Sequence, residues 1–130
     1  MTVKELQDKV FGNALRHGFH HKDQNIGEML MLIVSELSEA LEADRIGKRI
    51  DPQYAGFLQS YAKGQTVDRS EELNADLFRL FVKNTLEDEL ADAVIRIADL
   101  CGYLDIDLES HIKAKMRYNE NRPFRHGKKY

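Results

Sequence analysis

Apolar positions recur at three- and four-residue steps along most of the chain, the spacing that places side chains on one face of an α-helix. Val3, Leu6, Val10, Phe11 and Ala14 mark a first amphipathic helix over residues 3–16, with Gly18 as its stop. Asn25 followed by Glu28 is a start signal for a second helix that runs to about Arg45 and stops at Gly47. Ser70 with Leu73, Leu77, Leu80 and Phe81 predicts a short helix to about Lys83. Thr85 with Asp88 opens another, which continues to Cys101 and ends or bends at Gly102. Asp107 opens the last, which reaches about Asn121 before Pro123 closes it. Residues 46–69 are the least regular stretch, broken by Gly47, Pro52, Gly56 and Gly64, with a short helical piece at Phe57, Leu58 and Tyr61. No stretch alternates with period two for long enough to make a strand. The expectation is an all-α, four-helix-bundle-like domain over residues 1–130, with an insert over 46–84 between two acid-bearing helices.

The acids on those two helices do not fit a simple amphipathic plan. At ~100° per residue, apolar side chains cover most of the wheel for residues 28–44, and Glu28, Ser35, Ser38 and Glu42 share the polar arc. Glu36 is not on that arc; it falls between Ala43 and Met29, inside the packing face, and Glu39 lies at its edge near Leu32. An unpaired buried carboxylate costs several kcal/mol, so it needs a cation or a basic side chain. Residues three apart share a helix face, which lets Glu36 and Glu39 converge on one partner. In the helix over 86–104, Leu86, Leu90, Ala93, Val94, Ile97 and Cys101 form the main apolar stripe. Asp88, Glu89, Asp92, Arg96 and Asp99 occupy the remaining arc. That arc reads in two ways: as a solvent face with surface pairs from Glu89 and Asp92 to Arg96, or as the second wall of a cation site. Like charges at ~4 Å and an effective dielectric near 20 repel by roughly 4 kcal/mol per pair, and a divalent cation reverses that sign. All-oxygen ligands favour Mg²⁺, with Mn²⁺ as the alternative. None of the five histidines has a Glu three residues before it, which argues against the Glu-x-x-His pattern of di-iron bundles.

Composition narrows the classes further. Hydrophobic residues are 42% and charged residues 32%, with a formal net charge of −3, so no nucleic-acid partner is expected. The charge is uneven: Lys113, Lys115, Arg117, Arg122, Arg125, Lys128 and Lys129 face only Glu120 in the last stretch. One cysteine, Cys101, rules out an intrachain disulfide and a cysteine-based zinc site, and its apolar surroundings place it in the core. No apolar run approaches the ~18 residues of a membrane span, and Met1-Thr2-Val3-Lys4-Glu5 has no secretory character. The expected location is the cytoplasm. His20 and His21 read as surface histidines before the acidic helix, and Tyr118 and Phe124 as residues that close the core.

Glu36-x-x-Glu39 paired with Glu89-x-x-Asp92, on helices of an all-α chain, resembles the MazG-like all-α nucleoside triphosphate pyrophosphohydrolases. The segment Lys115-Met-Arg-Tyr-Asn119-Glu-Asn-Arg122-Pro-Phe, followed by His126-Gly-Lys128, is similar to that family's C-terminal triphosphate-contacting segment. The likeness covers residues 25–45 and 85–128 well, the 46–84 insert poorly and the first 24 residues loosely. The family motif is often written Glu-Glu-x-x-Glu, and its first acid is Ser35 here. The resemblance implies hydrolysis of a nucleoside triphosphate between the α and β phosphates, giving monophosphate and pyrophosphate. It implies Glu36, Glu39, Glu89 and Asp92 as ligands of Mg²⁺ (or Mn²⁺), and Glu36 or Glu39 as general base. Lys115, Asn119, Arg122 and Lys128 would contact phosphate. The family forms dimers or tetramers, and the wide apolar coverage of both acidic helices agrees with a homo-oligomer. The competing expectations are a helical nucleotide-binding or oligomerisation module without catalysis, and a purely structural bundle.

Overall fold

The computed structural model describes residues 1–65 and 70–130. Among the described residues six α-helices make up the regular structure: α1 (Val3–Arg16), α2 (Ile26–Arg45), α3 (Ala55–Ala62), α4 (Glu71–Phe81), α5 (Leu86–Tyr103) and α6 (Leu108–Glu120). Short 3₁₀ turns at Pro52–Tyr54 and Phe124–Gly127 complete it, with no strand among the described residues. The chain is all-α, as its periodicity predicts. No helix among the described residues is long and apolar enough to cross a membrane.

The helix boundaries follow local chemistry. Thr2 caps α1 with a full capping box: its hydroxyl accepts from the Glu5 N–H, and the Glu5 carboxylate accepts from the Thr2 N–H at 2.8 Å. The second acid-bearing helix, α5, starts on a variant of that device. Thr85 Oγ1 accepts from the Asp88 N–H at 3.3 Å, while the Asp88 carboxylate reaches back to the Asn84 N–H at 2.9 Å. Asp107 caps α6 through the Ser110 N–H. At the end of α2, Gly47 takes φ +69°, and two bonds close the turn: Gly47 N–H to Asp44 O and Lys48 N–H to Ala43 O. This is a Schellman stop, the geometry that glycine makes inexpensive.

One expected boundary moves. α5 does not end at Gly102; it runs through it to Tyr103 and stops at Asp105, which takes the left-handed conformation at φ +54°. Gly102 serves packing instead: a Cβ built there would lie 2.6 Å from Phe11 Cβ, so its missing side chain admits α1.

By contacts the chain divides into two units, residues 1–26 with 95–130, and residues 27–94. In the first, Ala98, Leu100 and Cys101 are buried, and Gln7 is buried with its amide donating to Ile106 O at 2.9 Å. Glu109 of α6 accepts the Lys4 N–H at the start of α1 at 2.9 Å. Tyr118 and Phe124 do not close this core. They are 58% and 88% exposed, because α6 carries them on its free side and into the turn beyond it.

The second unit holds most of α2, the insert and the first half of α5. The insert is fastened where it leaves and rejoins the acid-bearing helices. Lys48 O accepts the Leu86 N–H at 3.0 Å, and the Glu87 carboxylate takes Arg49 Nε at 2.7 Å and the Ile50 N–H at 3.2 Å. Inside it, Tyr54 stacks on Phe81 at 3.8 Å, and Tyr61 meets both Phe57 and Phe78 at 5.7 Å. These aromatics give the insert its own small apolar cluster. Asn74, fully buried, donates to Ser70 O at the start of α4. Residues 66–69 of the 46–84 insert lie outside the described residues.

Candidate metal centre

Three carboxylates converge in the 27–94 unit. Each of Glu36, Glu89 and Asp92 offers an oxygen within 4.8 Å of the other two. Glu36 comes from the middle of α2, where the wheel placed it inside the packing face, and it is 7% exposed. Its helix neighbours on that face, Met29, Ala40 and Ala43, are buried with it. Glu89 and Asp92 come from successive turns of α5, three residues apart and so on one face. Glu89 is 3% exposed and Asp92 half-buried. The acidic arc of α5 is therefore buried at Glu89, half-buried at Asp88, Asp92 and Asp99, and open to solvent at Arg96. What the sequence assigned as its apolar stripe is in part the open side: Leu90, Val94 and Ile97 are exposed while Glu89 is not.

Glu39, the fourth acid of the pair of motifs, is exposed and stands outside the trio. Its carboxylate lies 3.5 Å from the Ser35 hydroxyl, at the outer limit of a hydrogen bond. It is still close enough to be felt. Burial and then the charge of Glu39 are the leading causes that push the Glu89 carboxyl up to about 7, followed by Asp88, Glu36 and Asp92. Every charge in that series is negative. Asp88 is accounted for as a cap, and Glu42 is exposed beside Arg45. Glu36, Glu89 and Asp92 share one small region, and a divalent cation bound there would turn their mutual repulsion into attraction. The donor set fits a hard ion: carboxylate oxygens only, with no histidine or cysteine among them.

The basic candidates lie in the other unit. Lys115 and Asn119 are exposed on α6, Arg122 is half-buried just past its end, and Lys128 is exposed after the second 3₁₀ turn. Lys115 Nζ sits 4.9 Å and the Arg122 guanidinium 5.6 Å from the Tyr118 ring, so one aromatic gathers two of the four. The Arg122 guanidinium also donates to His126 O at 3.4 Å, within a turn where Arg125 and His126 both take φ +53°.

His20 departs from the sequence expectation. It is not a surface histidine: its side chain is 3% exposed, with Nε2 2.8 Å from Asp99 Oδ1, and it stacks on Tyr103 at 5.2 Å. Its partner is 79 residues away, so no local pattern could have announced the pair. His21 is exposed, as expected.

No protein-family model matches the chain, and neither a curated protein nor a solved structure matches it significantly.

Proposed function

We propose that the chain is an Mg²⁺-dependent nucleoside triphosphate pyrophosphohydrolase that cleaves between the α and β phosphates and acts in nucleotide-pool housekeeping. The observation that carries this reading is the convergence of Glu36, Glu89 and Asp92, two of them buried, within 4.8 Å. Motif order supports it: Glu36-x-x-Glu39, then Glu89-x-x-Asp92, then Lys115, Asn119 and Arg122, the arrangement that resembles the MazG-like enzymes.

In this reading Glu36, Glu89 and Asp92 hold the cation, Mg²⁺ or Mn²⁺, and Glu39 completes the set from the rim. A bound divalent ion supplies charge neutralisation for the phosphates and acidifies the attacking water. Glu36 or Glu39 accepts that water's proton. Of the two, Glu39 has the freer carboxylate, exposed beside the Ser35 hydroxyl. The resemblance assigns Lys115, Asn119, Arg122 and Lys128 to the phosphates, Arg122 through its planar fork.

The chain acts as a homodimer or homotetramer in this account. Leu30, Met31, Val34, Leu37 and Leu41 of α2, with Leu90 and Val94 of α5, are all about half exposed. A second copy is the covering that both acid-bearing helices call for. The same apolar face favours the second reading, a helical nucleotide-binding or oligomerisation module that does not cleave.

A panel of NTPs and dNTPs with Mg²⁺, with products separated by chromatography, distinguishes the readings. Hydrolysis predicts monophosphate plus pyrophosphate, lost in Asp92→Asn. Diphosphate plus orthophosphate contradicts the reaction, and unchanged nucleotide with measurable binding favours the module.

A further inference from the structure

The segment between α1 and α2 is held down in an unusual way. Its start continues the turn that ends α1, with Phe19 N–H bonded to Ala14 O and Gly18 at φ +77°. From His20 to Gln24, no backbone-to-backbone hydrogen bond is made among the described residues. Two attachments replace such bonds, and both lead to α5. His20 Nε2 meets Asp99 Oδ1 at 2.8 Å, and Tyr103 Oη accepts the Gln24 N–H at 3.0 Å. The rest of the segment faces water: Phe19 is 70% exposed, and His21, Lys22 and Asp23 are exposed. Gln24 folds its own amide back onto the segment, donating to Phe19 O at 2.9 Å and Lys22 O at 3.0 Å.

The closed arrangement also carries an internal cost. An ionised carboxylate only accepts, so in the pair with Asp99 the hydrogen sits on His20 Nε2. Nδ1 is left buried, with no hydrogen-bond partner among the described residues, in a ring flanked by Phe11 at 5.2 Å and Tyr103 at 5.2 Å. A buried polar atom without a partner is satisfied by water once the segment lifts.

From these features we infer that residues 17–25 form a strap that opens and closes on α5 as one unit, independently of global unfolding, with His20–Asp99 and Gln24–Tyr103 as its two latches. A segment that is mostly exposed, makes no backbone ladder from His20 to Gln24 and holds one unsatisfied buried group belongs to the low-stability end of a protein's opening spectrum. The strap leads directly into Ile26, the first residue of α2. Its opening therefore frees the entry to that helix while α1 and α5 stay folded.

Native-state hydrogen exchange on the full chain, followed through a denaturant series, tests this. The Gln24 amide is expected to exchange with a denaturant dependence well below that of amides in the middle of α5. Coupling between the latches is the diagnostic. His20→Phe, which fills the same space but cannot bond Asp99, is expected to speed exchange at the Gln24 amide by roughly five- to tenfold, although His20 makes no bond to that amide. Exchange at Leu100 should be unchanged. Gln24 exchanging only with the global transition would overturn the inference, as would a folded His20→Phe variant with unaltered exchange at Gln24. If that variant does not fold, the wild-type denaturant series decides alone.

Discussion

Glu87 and Glu89 stand two residues apart at the start of α5, in the same unit and the same helix, and their surroundings treat them in opposite ways. Partial burial works against the charge on Glu87, but the Arg49 hydrogen bond and the N–H groups of Glu87 and Ile50 outweigh it and hold the carboxyl below its ordinary value. That residue fastens the insert to the helix. Glu89 meets Glu36 and Asp92, and burial with the charges of Glu39, Asp88, Glu36 and Asp92 pushes it up to about 7. Propensity and composition treat the two residues alike; their neighbours do not. An acid with a cation beside it is a joint, whereas an acid walled in by other acids is a place where an ion would be stabilising.

The sharpest way to break this contrast is by activity. Asp92→Asn or Glu36→Gln is expected to reduce pyrophosphate release by about 10²-fold or more, while Arg49→Ala leaves the turnover number within about twofold. Equal losses in both would show that the trio has no special chemistry.

Metal dependence comes next. Saturating Mg²⁺, at about 100 times its dissociation constant, should stabilise the wild-type fold by about 2.7 kcal/mol, read as a rise in Tm. In Glu89→Gln that rise should disappear. Without metal at pH 8, the same variant should melt above wild type, because a buried, repelled charge has been removed.

The pH dependence separates the two glutamates by sign. Glu89 binds its proton more tightly when folded, at about 7 against 4.5 for the ordinary group. Its contribution to metal-free stability is full below about pH 4.5 and is lost as pH rises toward 7. Cation binding needs the carboxylate, so the apparent dissociation constant should rise by up to about tenfold for each pH unit below 7. Glu87 runs the other way: its contribution is present above pH 4.5 and is lost as pH falls through its depressed value. The smallest effect is Arg49→Ala on stability. The Arg49–Glu87 pair is more than a third exposed on both sides, so its loss should move the chemical-denaturation midpoint only slightly.

The sequence could reveal what local pattern controls. The span of α1, the capping residues Ser70, Thr85 and Asp107, and the stop at Gly47 all follow from 3.6-residue periodicity and side chains that bond nearby backbone. Glu36 was legible for the same reason: on its own helix it sits among residues that must be buried. The direction of the α5 arc was not legible, since both of its sides carry plausible faces, and only the packing of the unit decides which one meets α2. Gly102 has the same history. Its role depends on how near Phe11 comes, which no window around residue 102 contains. The His20–Asp99 pair, joined across 79 residues, is the extreme case.

The claim beneath the rest is that Glu36, Glu89 and Asp92 converge to hold a divalent cation. Titration calorimetry with Mg²⁺ at pH 8, on the wild type and on Glu89→Gln side by side, addresses it directly. Saturable binding in the wild type that vanishes in the variant is the predicted outcome. Absence of binding in the wild type, or equal binding in both proteins, would contradict the account.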